Sequence, residues 1–122
     1  MGQQPSSVND EFHAARLRYS QKIDEDVSSG GVLMYSTTTC PYCVRAKRLL
    51  DSEQVQYRTI ELNQAGLDRQ PYAAALYART GHNMVPQIFI CGQWIGGYQE
   101  LTELQRMKQL HARIAQCVPT RM

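Results

Sequence analysis

Between Gly31 and Val118 the hydrophobic pattern switches repeatedly between short strand-like runs and the three-four spacing of a helix, and the order of the switches limits the available folds. "GVLMYS" is a short apolar run that suits a buried strand. Pro41 to Glu53 follows as a helix with Val44, Ala46, Leu49 and Leu50 available to a core. "VQYRTIEL" alternates in strand fashion and ends at Asn63. "LDRQPYAAALYART" is rich in Ala and Leu and stops at Gly81, a residue free to take the left-handed conformation that closes a helix. "PQIFIC" and "QWIGG" read as two short strands around the hairpin-like turn Cys91-Gly92-Gln93. A last helix, marked by Leu101, Leu104, Met107, Leu110 and Ile114, runs to about Val118. Strands separated by helices predict parallel pairing through right-handed crossovers, and the two final strands predict an antiparallel edge. The expected fold is α/β, a mixed four-stranded sheet flanked by helices on both faces.

The segment before Gly31 reads as an addition to that plan. Phe12, Ala15, Tyr19, Ile23 and Val27 form a stripe along one helical face between Asn9 and Val27, with Arg16, Arg18, Lys22 and Glu25 between them, and Gly30-Gly31 ends it. Asn9 or Asp10 suits the cap. Asp10, Glu11, Asp24, Glu25 and Asp26 are too many acids for a mitochondrial transit peptide, so residues 1–30 are expected to be an extension carrying a packed amphipathic helix, and residues 31–122 a single domain. "MGQQPS" also fits the pattern for N-myristoylation at Gly2. With no polybasic cluster or neighbouring cysteine, such a chain gives only weak, reversible membrane association.

Charged residues make up 20% of the 122 and the formal net charge is +2, a balance that argues against a nucleic-acid partner. No apolar run approaches the roughly 18 residues of a membrane span, and no secretory leader opens the sequence, so a cytoplasmic location is expected. In a reducing compartment, four cysteines point to metal or redox chemistry rather than a disulfide framework.

"TTTCPYC" places the first two of them at the start of the predicted helix. Cys40 would sit where unpaired backbone amides and the helix dipole favour a thiolate, with Arg45, Lys47 and Arg48 adding positive potential, so its pKa is expected below the roughly 8.5 of a free thiol. Pro41 costs nothing at the first helical position. Cys43, one turn along, can attack a mixed disulfide formed on Cys40 and has less of the dipole, so it stays more often a thiol. Zinc requires a second close pair, whereas Cys91 and Cys117 stand alone at unrelated spacing, so no metal site is expected. A static bridge across Cys40 and Cys43 would add little stability. Cys91 is expected to be exposed and oxidisable in its turn, and Cys117 to be a small core residue or a bystander.

"TTTCPYC", "NMVPQIFI" and "WIGGYQEL", in this order and at these separations, resemble a dithiol glutaredoxin of the thioredoxin-like superfamily. The resemblance covers about Gly31 to Cys117. It implies a thioredoxin-like fold and a glutathione-dependent thiol–disulfide oxidoreductase that reduces protein disulfides and protein–glutathione mixed disulfides. Cys40 and Cys43 would be catalytic, Pro86 cis, and the backbone of Val85 free to pair with an extended thiol peptide. Gly96-Gly97 would allow close backbone approach, the amides of Gln99 and Glu100 would receive the γ-glutamyl carboxylate, and Tyr42 would flank the peptide.

The resemblance implies glutathione as co-substrate, or a related low-molecular-weight dithiol, with no tightly bound cofactor, and a monomer working on disulfide-containing or glutathionylated proteins. Several positions depart from the family pattern. Thr37 stands where many relatives carry the Lys that holds the glycine carboxylate, Ala73 where they carry Gln, Met84 where Thr is common and Glu100 where Asp is usual. Asn83 and Arg79 are candidate replacements, and a thiol conjugate with an amidated glycine carboxylate becomes an eligible substrate. Two other readings stay open: an iron–sulfur cluster carrier, against which Pro41 argues, and a membrane-associated redox adaptor acting through the N-terminal helix.

Overall fold

The computed structural model describes residues 7–117, so the acylation pattern at Gly2 and the predicted helix end at Val118 lie outside the described residues. In chain order the elements are α1 (Ser7–Ser28), β1 (Val32–Ser36), α2 (Pro41–Ser52), β2 (Arg58–Glu61) and α3 (Arg69–Thr80), then β3 (Gln87–Ile90), β4 (Gln93–Gly96), α4 (Tyr98–Arg106) and α5 (Leu110–Ala115). The strands form one mixed sheet in the order β2-β1-β3-β4. β1 and β2 are parallel, with Tyr35 opposite Ile60 and Ser36 opposite Glu61.

One pairing departs from the parallel expectation. β3 runs antiparallel to β1, with Tyr35 opposite Gln87 and Val32 opposite Ile90, although a helix separates β3 from β2. The links 62–68 and 81–86 around α3 return the chain to the end of the sheet that it left. β3 therefore begins beside the last residues of β1. The loop that follows β1 and the loop that precedes β3 meet at that end, and this brings Cys40 to Val85 and Pro86.

Strand alternation sorts the side chains of β1 onto two faces. Leu33 and Tyr35 join Phe89 of β3, Tyr72, Ala75 and Leu76 of α3, and Ile23 and Val27 of α1. Val32 and Met34 join Ile88 and Ile90 with Ala46, Leu49 and Leu50 of α2, Leu101 of α4 and Leu110 of α5. Ile23 is fully buried, which contributes roughly 2–3 kcal/mol relative to leaving it in water. The Tyr19 ring stacks on Tyr72 at 4.2 Å, and the Tyr19 hydroxyl accepts the Asp68 amide at 2.7 Å. Arg58 ties the helix end down by donating to the carbonyls of Asp26 and Gly30. Of the stripe read from the sequence, Tyr19, Ile23 and Val27 pack into the main core and Ala15 is buried, whereas Phe12 is exposed. Among the described residues, no helix is long and apolar enough to cross a membrane.

The predicted final helix is two helices. Lys108 has a φ of 58°, and the Lys108 and Gln109 amides donate back to Gln105 and Leu104, closing α4 before α5 begins. The break turns Leu110 into the core and leaves Met107 half exposed, although both lie on one helical stripe in the sequence. In α2, Cys43 takes the fully buried position and Val44 is only partly covered.

Cys91 and Cys117 form a disulfide across 26 residues, contrary to the expectation of an exposed thiol and a bystander. The β3–β4 turn carries Cys91 to the last turn of α5, a proximity that depends on the α4–α5 break.

Candidate active site

Cys40 is the N-cap of α2, with extended backbone angles and Pro41 at the first helical position. Its amide donates to the Thr37 carbonyl, and its own carbonyl accepts the first helical hydrogen bond from Val44. The Cys43 amide donates to Cys40 Sγ at 3.2 Å. One of the amides that a helix start leaves without an intrahelical acceptor is therefore aimed at the sulfur. Cys40 Sγ also lies 3.7 Å from the Val85 carbonyl oxygen. Both cysteines are free thiols.

The two sulfurs differ in access. Cys40 is partly exposed, whereas Cys43 is fully buried. Burial pushes the Cys43 thiol up to about 11, reinforced by its hydrogen bond with Cys40 and opposed by contacts with Thr37 and Ser36. Cys43 is thus a thiol at neutral pH, while its neighbour holds the accessible end of the pair.

The basic residues nearby are less available than the sequence suggests. Lys47 is paired with Glu61 at 2.8 Å, and Glu61 also accepts from Ser36 Oγ. The Arg45 guanidinium lies over the Tyr42 ring at 5.2 Å.

Beside Cys40 runs an open groove of about 490 Å³. Tyr42, Val85, Pro86, Gly97, Gln99 and Glu100, all singled out from the sequence, line it together. The Val85–Pro86 bond is cis. Gly96 adopts a φ of 116°, which side-chain-bearing residues rarely take, and a Cβ on Gly97 would stand 3.1 Å from the Pro86 carbonyl oxygen. Glycine at both positions lets the start of α4 close against the Pro86 segment. The Glu100 carboxylate accepts the Gly97 amide at 2.8 Å, as in a capping box. The amides of Gln99 and Glu100 belong to the first turn of α4, where no intrahelical acceptor exists.

Thr37 does not join this group. It is 3% exposed and stands outside the groove lining, its carbonyl occupied by Cys40 and Ser36. Arg79 is directed to Asp24 of α1 and Asn83 is exposed away from the lining, so neither takes the place of the missing lysine. The groove is also lined by His82, Met84, Tyr98 and Thr102. Tyr98 packs near Tyr42 at 5.7 Å, and His82 near Trp94 at 5.6 Å. Tyr98 follows Gly96-Gly97 directly, the signal that sequence reading had available for it. His82 carries no such signal.

Comparison with known proteins agrees with this geometry. The family model described as glutaredoxin matches residues 32–95. Human mitochondrial glutaredoxin-2 is 35% identical over 96 residues, covering 79% of this chain and 58% of its own, so the chain spans just under three fifths of that relative. A glutaredoxin of Ricinus communis is 39% identical over 73% of this chain and 86% of its own. The crystal structure of a buckwheat glutaredoxin–glutathione complex superposes with a TM-score of 0.81 at 36% identity, covering 85% of this chain and 94% of that one. With Cys40 and Cys43 on the first turn of α2 and the cis proline beside them, the chain belongs to the glutaredoxin family.

Proposed function

We propose that the protein is a glutathione-dependent thiol–disulfide oxidoreductase that reduces protein–glutathione mixed disulfides and protein disulfides. The observation that supports this most is the position of Cys40 Sγ, partly exposed, receiving the Cys43 amide and 3.7 Å from the Val85 carbonyl at the edge of the groove. An extended thiol peptide lying in that groove would pair with the Val85 backbone and set its γ-glutamyl carboxylate on the amides of Gln99 and Glu100. Tyr42, Pro86 and Gly97 would bound the peptide, and the existence of a glutathione complex of the buckwheat relative supports glutathione as the ligand.

In the monothiol reaction the Cys40 thiolate attacks the glutathione sulfur of a mixed disulfide. The substrate protein leaves as a thiolate, and glutathione stays on Cys40. A second glutathione thiolate attacks that glutathione sulfur, releasing glutathione disulfide and regenerating Cys40. With a protein disulfide, Cys40 attacks one sulfur and the other leaves. Cys43 then gives up its proton and attacks Cys40, which releases the reduced substrate and forms a Cys40–Cys43 bridge that two glutathiones reduce. The burial that keeps Cys43 protonated makes it a resolver rather than a competing nucleophile.

With Thr37 buried and Arg79 engaged by α1, no Lys or Arg stands among the groove-lining residues to hold a glycine carboxylate. The same proposal therefore includes tolerance of a low-molecular-weight dithiol whose glycine end is amidated. It also has the protein acting as a monomer in the cytoplasm, with any acyl chain on Gly2 giving only reversible membrane contact. The test is a steady-state deglutathionylation assay with glutathione and with an amidated bis-glutathione thiol as reductants. Wild-type turnover with either, lost in Cys40→Ser, supports the reading, and undiminished turnover in Cys40→Ser rejects it. Cell fractionation with intact mass, and sedimentation, check the compartment, the acyl chain and the monomer.

A further inference from the structure

The Cys91–Cys117 bridge lies at the other end of the sheet from Cys40. The Cys91 amide donates to the Gly31 carbonyl, just before β1 begins, whereas Cys40 follows the end of β1. A strand of five residues, roughly 17 Å, separates the two ends. The two pairs therefore share no hydrogen bond among those described above, and one is bridged while the other is free.

Cys91 occupies an unusual place for its residue type. Cys91 and Gly92 have φ values of 55° and 79°, the double positive φ of a two-residue hairpin turn that Asn, Asp or Gly ordinarily fills. A cysteine offers no local advantage there. Its advantage is distant: the turn holds its Cα 4.9 Å from that of Cys117, with Sγ against the carbonyls of Arg113 and Ile114 at the end of α5. α5 has six residues, too few to be stable alone, and Leu110 is its one fully buried side chain. The bridge closes its far end onto the sheet.

The surroundings also set the balance between bridge and dithiol. At Cys40 a helix start supplies the reduced pair with a hydrogen bond, from the Cys43 amide to Cys40 Sγ. Cys117 follows a helix end, with its Sγ 3.1 Å from the Ile114 carbonyl oxygen, a neighbour that disfavours an anion, so no comparable amide contact supports its reduced form among the described hydrogen bonds. We propose that Cys91 and Cys117 form a second redox couple, more strongly reducing than Cys40–Cys43, that stays bridged while the catalytic pair cycles and whose reduction releases α5. In the reducing direction a glutathione thiolate attacks one sulfur of the bridge and expels the other as a thiolate. A second glutathione thiolate then attacks the mixed disulfide, leaving two protein thiols and glutathione disulfide. The couple does not require Cys40, so its failure and that of the proposed activity are separable.

The test equilibrates the full chain in graded mixtures of reduced and oxidised glutathione, traps thiols with a maleimide and maps them by peptide mass. The Cys91–Cys117 bridge is expected to reach its midpoint at a value of [GSH]²/[GSSG] at least tenfold higher than the Cys40–Cys43 pair. Trapping of Cys91 and Cys117 at the same or a lower ratio overturns the proposal. A Cys40→Ser/Cys43→Ser variant, with the catalytic couple removed, should keep the same midpoint for the remaining pair. Strong reductant should lower its Tm by roughly 5–10 °C and speed amide exchange in α5, while adding Cys117→Ala or Cys91→Asn removes that response. An unchanged Tm and unchanged exchange on reduction would refute the release of α5. If the double variant does not fold, the trapping experiment on the wild-type chain decides the order of the midpoints.

Discussion

The two ends of the sheet hold cysteine pairs with opposite designs. At the groove end, Cys40 and Cys43 lie within one turn of a helix, so one sulfur faces solvent and local amides while the other is sealed in the core. At the far end, Cys91 and Cys117 come from a hairpin turn and a helix end 26 residues apart, both half covered. The first pair is close in sequence, so its closure constrains the unfolded chain little and can be opened and closed at small conformational cost. The second pair closes a long loop and restrains the unfolded chain substantially. Proximity in sequence suits turnover, and separation suits holding.

The sharpest way to break this contrast is to remove a sulfur from each pair. Cys40→Ser should lower both deglutathionylation and protein-disulfide reduction by at least about 10³-fold in steady-state assays, because the attacking atom is lost. Cys117→Ala should leave both rates within about twofold, since the far pair makes no contact with the groove. A large loss of activity in Cys117→Ala would erase the distinction between the two ends.

Within the groove-end pair, Cys43→Ser should retain deglutathionylation and lose about 10²-fold in protein-disulfide reduction, since an intramolecular resolving thiol is replaced by one from solution. The buried thiol also leaves a pH signature. The folded-state pKa of Cys43, raised to about 11 from 9.0, makes its contribution to stability fully present below pH 9 and lost as pH rises toward 11. Denaturant titrations should show a fall on the order of 2 kcal/mol over that window, reduced in Cys43→Ala. Burial also raises the buried tyrosines Tyr35 and Tyr72, whose titration adds to the loss at the highest pH. The smallest effect concerns the groove wall: Gly97→Ala should push the Pro86 carbonyl by a few tenths of an ångström and raise KM for glutathione about fivefold with little change in kcat.

Much of the groove end was readable from the sequence because its determinants are local. Pro41 after Cys40 marks a helix start and "GVLMYS" marks a buried strand before it, whereas Gly96-Gly97 reads locally as a turn and only the family resemblance implies a close approach there. The far end was not readable. Nothing in the spacing of Cys91 and Cys117 signals a pair, because their contact depends on the direction of β3 and on the break at Lys108. That break is a left-handed lysine within an unbroken Leu101-to-Ile114 stripe, and periodicity is blind to it. Thr37 and Arg79 failed as carboxylate-binding candidates for a similar reason. The fold turns one into the core and pairs the other with α1, decisions made by tertiary contacts that residue type does not carry.

The seating of α1 has a practical consequence. Its Ile23 and Val27 fill the same layer as Leu33, Tyr35 and Phe89, and Arg58 grips the carbonyls at its end. A protease cut between Gly30 and Gly31 would sever the chain without freeing the helix, and the two pieces would copurify as a noncovalent complex. Deleting the helix, in contrast, would uncover a greasy flank on α3 and the sheet, and would give a sticky, aggregation-prone fragment instead of a trimmed enzyme.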